Sequence, residues 1–148
     1  MKTSYQTDFS LWMEETTHCL REKNWDELDV PHLIEEVMEL GKSERRGIAS
    51  QLVRLLLHLL KWQQQPQRRS DSWLDLISDA RLQIELAMDD SPSLKGYPKE
   101  QINMCYAKAR KGAAKQTGLP ESDFPVICPY SLEEILQDNW LPGQANGE

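Results

Sequence analysis

The stretch LVRLLLHLLKWQQQPQRRSDSW, Leu52 to Trp73, contains the densest apolar run of the chain, and its reading decides the fold. At about 100° per residue, Leu52, Val53, Leu55, Leu56, Leu57, Leu59, Leu60 and Trp62 share an arc of about 220°. A helix with so wide an apolar arc packs on two or three sides, which makes this the central helix of a bundle. Arg54, His58, Lys61 and Gln65 fall together on a narrow polar seam, at roughly 180–240° from Leu52. His58 is therefore at the edge of a seam rather than stranded among leucines. It reads as a structural histidine bonded to a carboxylate or a backbone oxygen.

Helical periodicity extends outward on both sides. Phe9, Trp12, Met13, Thr16 and Leu20 predict a first helix from about Asp8 to Arg21, with Thr7 or Asp8 as its cap. Asn24-Trp25-Asp26 is a turn with Trp25 and Leu28 as apolar plugs. Asp29 before Val30-Pro31 fits an N-cap and a first-turn proline, opening a helix whose stripe is Leu33, Ile34, Val37, Met38 and Leu40. Gly41 has the chemistry of a C-cap, yet the stripe keeps phase through Arg45, Ile48 and Leu52. A break near Gly41–Ser43 is the preferred reading, with one kinked helix as the alternative.

Pro66 ends the central helix. A fourth helix starts at Ser70 or Asp71, turns Trp73, Leu74, Ile77, Ala80, Ile84 and Ala87 inward, and stops at Asp89-Asp90-Ser91-Pro92. A fifth runs from about Pro98 to Gln116 with Ile102, Cys105, Tyr106, Ala109 and Ala113 inward and Gly118 as C-cap. Pro120, Pro125, Pro129 and Pro142 mark an arm lying over the bundle, anchored by Phe124, Tyr130 and Trp140. Ser131 and Glu134 form a capping box for one short helix, Leu132–Gln137. The expected fold is all-α: one domain over 1–142, a mostly antiparallel bundle of about five helices, a proline-rich C-terminal arm from about 119, and a frayed tail at 143–148.

Composition limits the class of function. The 148 residues are 39% hydrophobic and 28% charged, as in a soluble globular protein. No apolar run reaches the roughly 18–20 residues of a membrane span, and MKTSYQTDFS has no signal core. Cys19, Cys105 and Cys128 are isolated and odd in number, which suits a reduced cytoplasm better than a disulfide framework. The net charge of −7 conceals a basic band, Lys42 to Arg69, with seven basic residues and one acid, Glu44. Such a band either binds an anionic partner or pairs with the protein's own acids; internal pairing is the preferred reading.

The polar residues bear on three chemistries. A di-iron bundle uses paired carboxylates and two E-x-x-H motifs. Glu15-Thr16-Thr17-His18 is one such motif and Glu35, Glu36 and Glu39 supply carboxylates, but Leu55 precedes His58 where a second motif would need an acid. His32 and Glu36 stand four apart and read as cap support. Arg54, His58 and Lys61 with the acidic helix of Glu35, Glu36 and Glu39 are the alternative, a metal-assisted hydrolase or nuclease, one group holding phosphate and another moving a proton. Packing of the seam against Glu35 or Glu39 would instead make it structural. Arg45, Arg46, Arg68 and Arg69 with Trp73 are the candidate binding residues, since basic and aromatic side chains together suit phosphate and base contacts. No Walker motif, dinucleotide fingerprint or nucleophile elbow is present, and no cofactor is called for.

Several short motifs also carry a resemblance. Tyr5, Asp8, Phe9 and Trp12, "LIEEVMELGKSERR" from Leu33 to Arg46, "HLLKW" from His58 to Trp62, Gln65-Pro66, Arg69, Ser72-Trp73, Arg81, "SPSL" from Ser91 to Leu94, "GLP" from Gly118, Phe124-Pro125 and "CPY" from Cys128 to Tyr130 resemble a bacterial domain-of-unknown-function family, number twenty-nine. The likeness runs from about Tyr5 to Pro142. It implies an all-helical fold and no established activity; Gly96 and Pro98 stand where the resemblance implies continuous helix. The expected function is a cytoplasmic, non-enzymatic interaction module with a protein partner or a second copy of itself. Nucleic acid on the basic band is the lesser partner, and a membrane is not expected.

Overall fold

The structure is a computed structural model that describes residues 4–143. Most of the tail read as frayed, residues 144–148, lies outside the described residues. Six α-helices follow in order: α1 (Ser4–Thr7), α2 (Phe9–Arg21), α3 (Val30–Gln64), α4 (Asp71–Asp90), α5 (Tyr97–Thr117) and α6 (Leu132–Leu136). Short 3-10 turns join several of them, and no strand occurs among the described residues. The all-helical reading holds, with α4 and α5 both antiparallel to α3. Two compact units are distinguished, one ending at Ser43 and the other beginning at Glu44.

The expected break near Gly41 does not occur, because α3 runs unbroken for 35 residues. A glycine ends a helix when the chain after it has reason to leave. Here the apolar stripe continues in phase, and Ile48 and Leu52, about two and three turns on, are fully buried.

In the first unit, Asp8 caps α2 by accepting from the Leu11 amide at 3.1 Å. Lys23 takes a left-handed φ of 55° just past the end of that helix. Asp29 caps α3 as read, its Oδ1 accepting from the His32 amide at 3.4 Å. Trp12 and Thr16 are buried, whereas Phe9, Met13 and Leu20 of the same apolar stripe are exposed. Trp25 is also a correction: it is 58% exposed and plugs nothing, since its 3-10 turn points it to solvent.

The second unit holds the apolar core. Leu52, Leu55, Leu56, Leu59 and Leu60 of α3 are fully buried against Ile77, Ala80 and Ile84 of α4 and Cys105, Tyr106, Ala109 and Ala113 of α5. Small residues on α5 let the helices approach closely: a Cβ placed on Gly112 would lie 2.8 Å from the Leu57 Cδ1. Pro98 occupies the first turn of α5, where its missing N–H is no loss, and Gly118 ends that helix at φ +75°. On α4 the expected inward Leu74 is exposed, and Arg81 is buried instead.

The arm is tied to the bundle largely through its own backbone. Arg81 donates from Nε to the Ile135 carbonyl at 2.8 Å and from a terminal nitrogen to the Trp140 carbonyl at 2.7 Å. Arg110 reaches the Phe124 carbonyl at 3.1 Å, Tyr106 the Pro125 carbonyl at 2.6 Å, and Gln64 the Asp123 carbonyl at 3.2 Å. Phe124, Tyr130 and Ile135 are buried in the core, with Trp140 partly buried against Tyr130. The capping box of Ser131 and Glu134 forms in full and starts α6.

Candidate interaction surface

The polar seam of α3 is occupied by its own neighbours. Arg54 donates to Asp79 of α4 at 3.2 Å, and Lys61 donates to Gln116 of α5 at 3.1 Å. The Lys61 ammonium also stands 4.8 Å from the centre of the Trp73 ring, a cation–π contact. His58 is half-buried, and its Nδ1 meets the Arg54 carbonyl one turn back at 2.8 Å. That contact places the proton of the neutral ring on Nδ1. Burial, with the charges of Lys61 and Arg54, outweighs the backbone hydrogen bond and holds the ring below its ordinary pKa. The bond to a backbone oxygen is as read from the sequence. The acids facing the seam are not Glu35 and Glu39, which lie fifteen or more residues back along α3; Asp79 takes that place.

The basic band is paired in part. Arg69 lies over the Trp62 ring at 4.8 Å and donates to the Trp62 carbonyl at 2.8 Å. Trp73, proposed as a base-stacking residue, meets Lys61 instead. Arg45 and Arg68 are exposed, and Arg46 is exposed but engaged within the protein.

The carboxylates and histidines of the first unit do not converge on an ion site. Glu15 accepts from the Ser4 hydroxyl at 3.3 Å and, with His18, Cys19 and Asp29, borders a hollow of about 570 Å³. Glu35 and Glu39 are not among its walls. Among the described residues no three His, Cys, Asp or Glu side chains stand close enough to hold a metal.

Asp29, His32 and Glu36 join Tyr5 and Trp12 in a polar clasp. Asp29 Oδ2 accepts from the Trp12 indole at 3.1 Å and from the His32 ring at 2.7 Å. The His32 bond is the main reason its carboxyl is held below the usual carboxylate range. Tyr5 stacks on the His32 ring at 3.9 Å and donates its hydroxyl to Glu36 at 2.7 Å. Giving up that proton beside Glu36 is unfavourable, so the phenol is pushed up to about 12. His32 thus supports the cap, as its place at the helix start suggested.

The clasp leaves a broad apolar surface uncovered. Of the large apolar side chains exposed among the described residues, ten lie between Phe9 and Leu40. Phe9, Met13, Thr17 and Leu20 of α2 and Leu33, Val37 and Leu40 of α3 line a groove of about 350 Å³. Val37 is 59% and Leu40 72% exposed. The apolar periodicity of this segment is legible in the sequence, but periodicity does not say whether the face it marks is covered.

No helix among the described residues is long and apolar enough to cross a membrane. No curated protein and no solved structure matches the chain. The model of one family, the domain of unknown function DUF29, matches residues 4–141, and with almost the whole helical fold inside that match the chain belongs to this family.

Proposed function

We propose that this protein is a non-enzymatic interaction module of the cytoplasm whose contact surface is the apolar groove of α2 and the first turns of α3. The observation that carries the reading is the contrast between the two units. Beyond Ser43 a continuous apolar core is closed by helices and arm, while before it, among the described residues, only Trp12 and Thr16 are buried and ten large apolar side chains are exposed. A unit of about 40 residues sits at the size below which a chain folds only with outside help, and a second protein surface is the simplest such help. The seam of Arg54, His58 and Lys61 is read as structural, since each side chain is engaged by α3, α4 or α5. The part of the basic band from Arg54 to Arg69 is read as internal pairing, through Arg54, Lys61 and Arg69. Three free cysteines, of which burial holds Cys105 and Cys128 as thiols, support a reducing compartment.

The test is photo-crosslinking in cells with a reactive residue at Val37 or Leu40, and at exposed Lys99 as control. Protein adducts at both groove positions and none at Lys99 are expected. No adduct at either groove position would overturn the reading.

A further inference from the structure

Resting on that reading, we propose that a second copy of this chain packs antiparallel along α3 between Val30 and Arg45, on the exposed stripe of Ile34, Met38 and Arg45 that flanks the groove. Charge is sorted along this stretch: Glu35, Glu36 and Glu39 come first, then Lys42, Arg45 and Arg46, with Glu44 as the only acid in the second half. A parallel partner would set like charges side by side. An antiparallel copy sets each acidic half against a basic half, which is what a two-fold interface between identical chains requires.

The register follows from spacing. Ile34, Met38, Gly41 and Arg45 advance by four, three and four residues, the seam of a two-stranded helical pair. Ile34 and Met38 are 53% and 56% exposed, and Arg45 is exposed. In antiparallel layers Met38 of one copy sits over Gly41 of the other, and Ile34 over the aliphatic stem of Arg45. A glycine within a continuous helix is unfavourable by itself, and α3 does not use it as a cap. Opposite Met38 it supplies the notch a long side chain needs. The same register brings Glu35 of each copy beside Lys42 of the other, at the flank where such pairs set orientation.

The test uses the full chain in three forms: parent, Glu35→Lys and Lys42→Glu. In a homodimer of either variant both flanking pairs become like-charged. In a mixture of the two variants both become opposite-charged. Within one helix the changes are harmless: Glu35→Lys places a lysine four residues before Glu39, Lys42→Glu a glutamate four before Arg46. Glu36, the main partner of the Tyr5 hydroxyl, is kept in both, and only the smaller contribution of Glu35 there is lost in Glu35→Lys. By sedimentation velocity the parent is expected to dimerise, each variant to dissociate at least about tenfold more readily, and the mixture to recover a one-to-one dimer. Circular dichroism is expected to show unchanged helix content.

A parent that stays monomeric at its solubility limit would overturn the self-pairing. So would single variants that dimerise like the parent, or a mixture that fails to recover. The module reading is judged apart from these outcomes, because crosslinks from Val37 to a different protein would uphold it while self-pairing failed.

Discussion

Arg81 and Ile135 are joined by a buried hydrogen bond of 2.8 Å across 54 residues of sequence, from the guanidinium Nε to a main-chain oxygen. The same guanidinium reaches the Trp140 carbonyl, so one side chain of α4 fixes two points of the arm.

Replacing Arg81 by methionine keeps much of its volume but leaves two carbonyls without their charged donor. A loss of about 3 kcal/mol is expected in urea unfolding. Arg81→Lys should recover little of it, because a single ammonium cannot span both oxygens in the geometry of the guanidinium fork. A methionine variant as stable as the parent would show that apolar contacts alone hold the arm.

Phe124 is 1% exposed and belongs to the core shared by α3, α4 and α5. Phe124→Ala is expected to lower stability by about 3–5 kcal/mol. Truncation after Gly118 should do more, lowering the melting temperature and exposing apolar surface to a reporter dye. Equal melting of truncated and full-length protein would make the arm a separate appendage.

His58 gives a pH signature. Its pKa in the folded protein lies below the 6.5 of an unperturbed histidine, so as pH falls the unfolded chain takes up the proton first. The stability tied to the neutral ring is complete above about pH 6.5 and is lost as pH drops through the folded value. His58→Gln removes the titration and can retain a donor toward the Arg54 carbonyl. Parent and variant should therefore diverge between pH 7.5 and 5.5, the parent losing more. Parallel curves would mean that the ring is not held neutral by its site.

Gly47 offers a gain. It lies within α3, and a Cβ there meets nothing within 4 Å. Gly47→Ala should add about 0.5–1 kcal/mol by reducing the freedom of the unfolded chain. Gly112→Ala, whose Cβ would press on Leu57, should show no such gain, and equal benefit at both sites would contradict the close packing of α3 and α5.

Caps and the central helix were readable because they depend on neighbours in sequence: Asp8, Asp29 and Ser131 each act within three residues. Gly41 was misjudged because the same residue type stops a helix or merely thins it, and only the burial of Ile48 and Leu52 further on decides which. Arg81 occupies an inward phase, four after Ile77 and three before Ile84, so its position was legible. Its role was not, because its partners are carbonyls more than fifty residues away and a carbonyl has no letter in the sequence. The partners of the seam, Asp79 and Gln116, were hidden for the same reason of distance. The exposure of the face before Ser43 was not legible, since periodicity reports which side chains share a face, not whether anything covers that face.

The attachment of the arm also bears on how it tolerates change. Arg81, Arg110, Tyr106 and Gln64 all hold main-chain oxygens, and a carbonyl is the same whatever side chain hangs beside it. Docking information therefore resides in the bundle and in a few buried anchors, Cys128 among the partly buried ones, while the stretch at Val126 and Ile127 is released from most sequence constraint. Val126 and Ile127, each 79% exposed, mark the place where that freedom is greatest. An epitope or fluorophore grafted at those two positions should report on the molecule without loosening it.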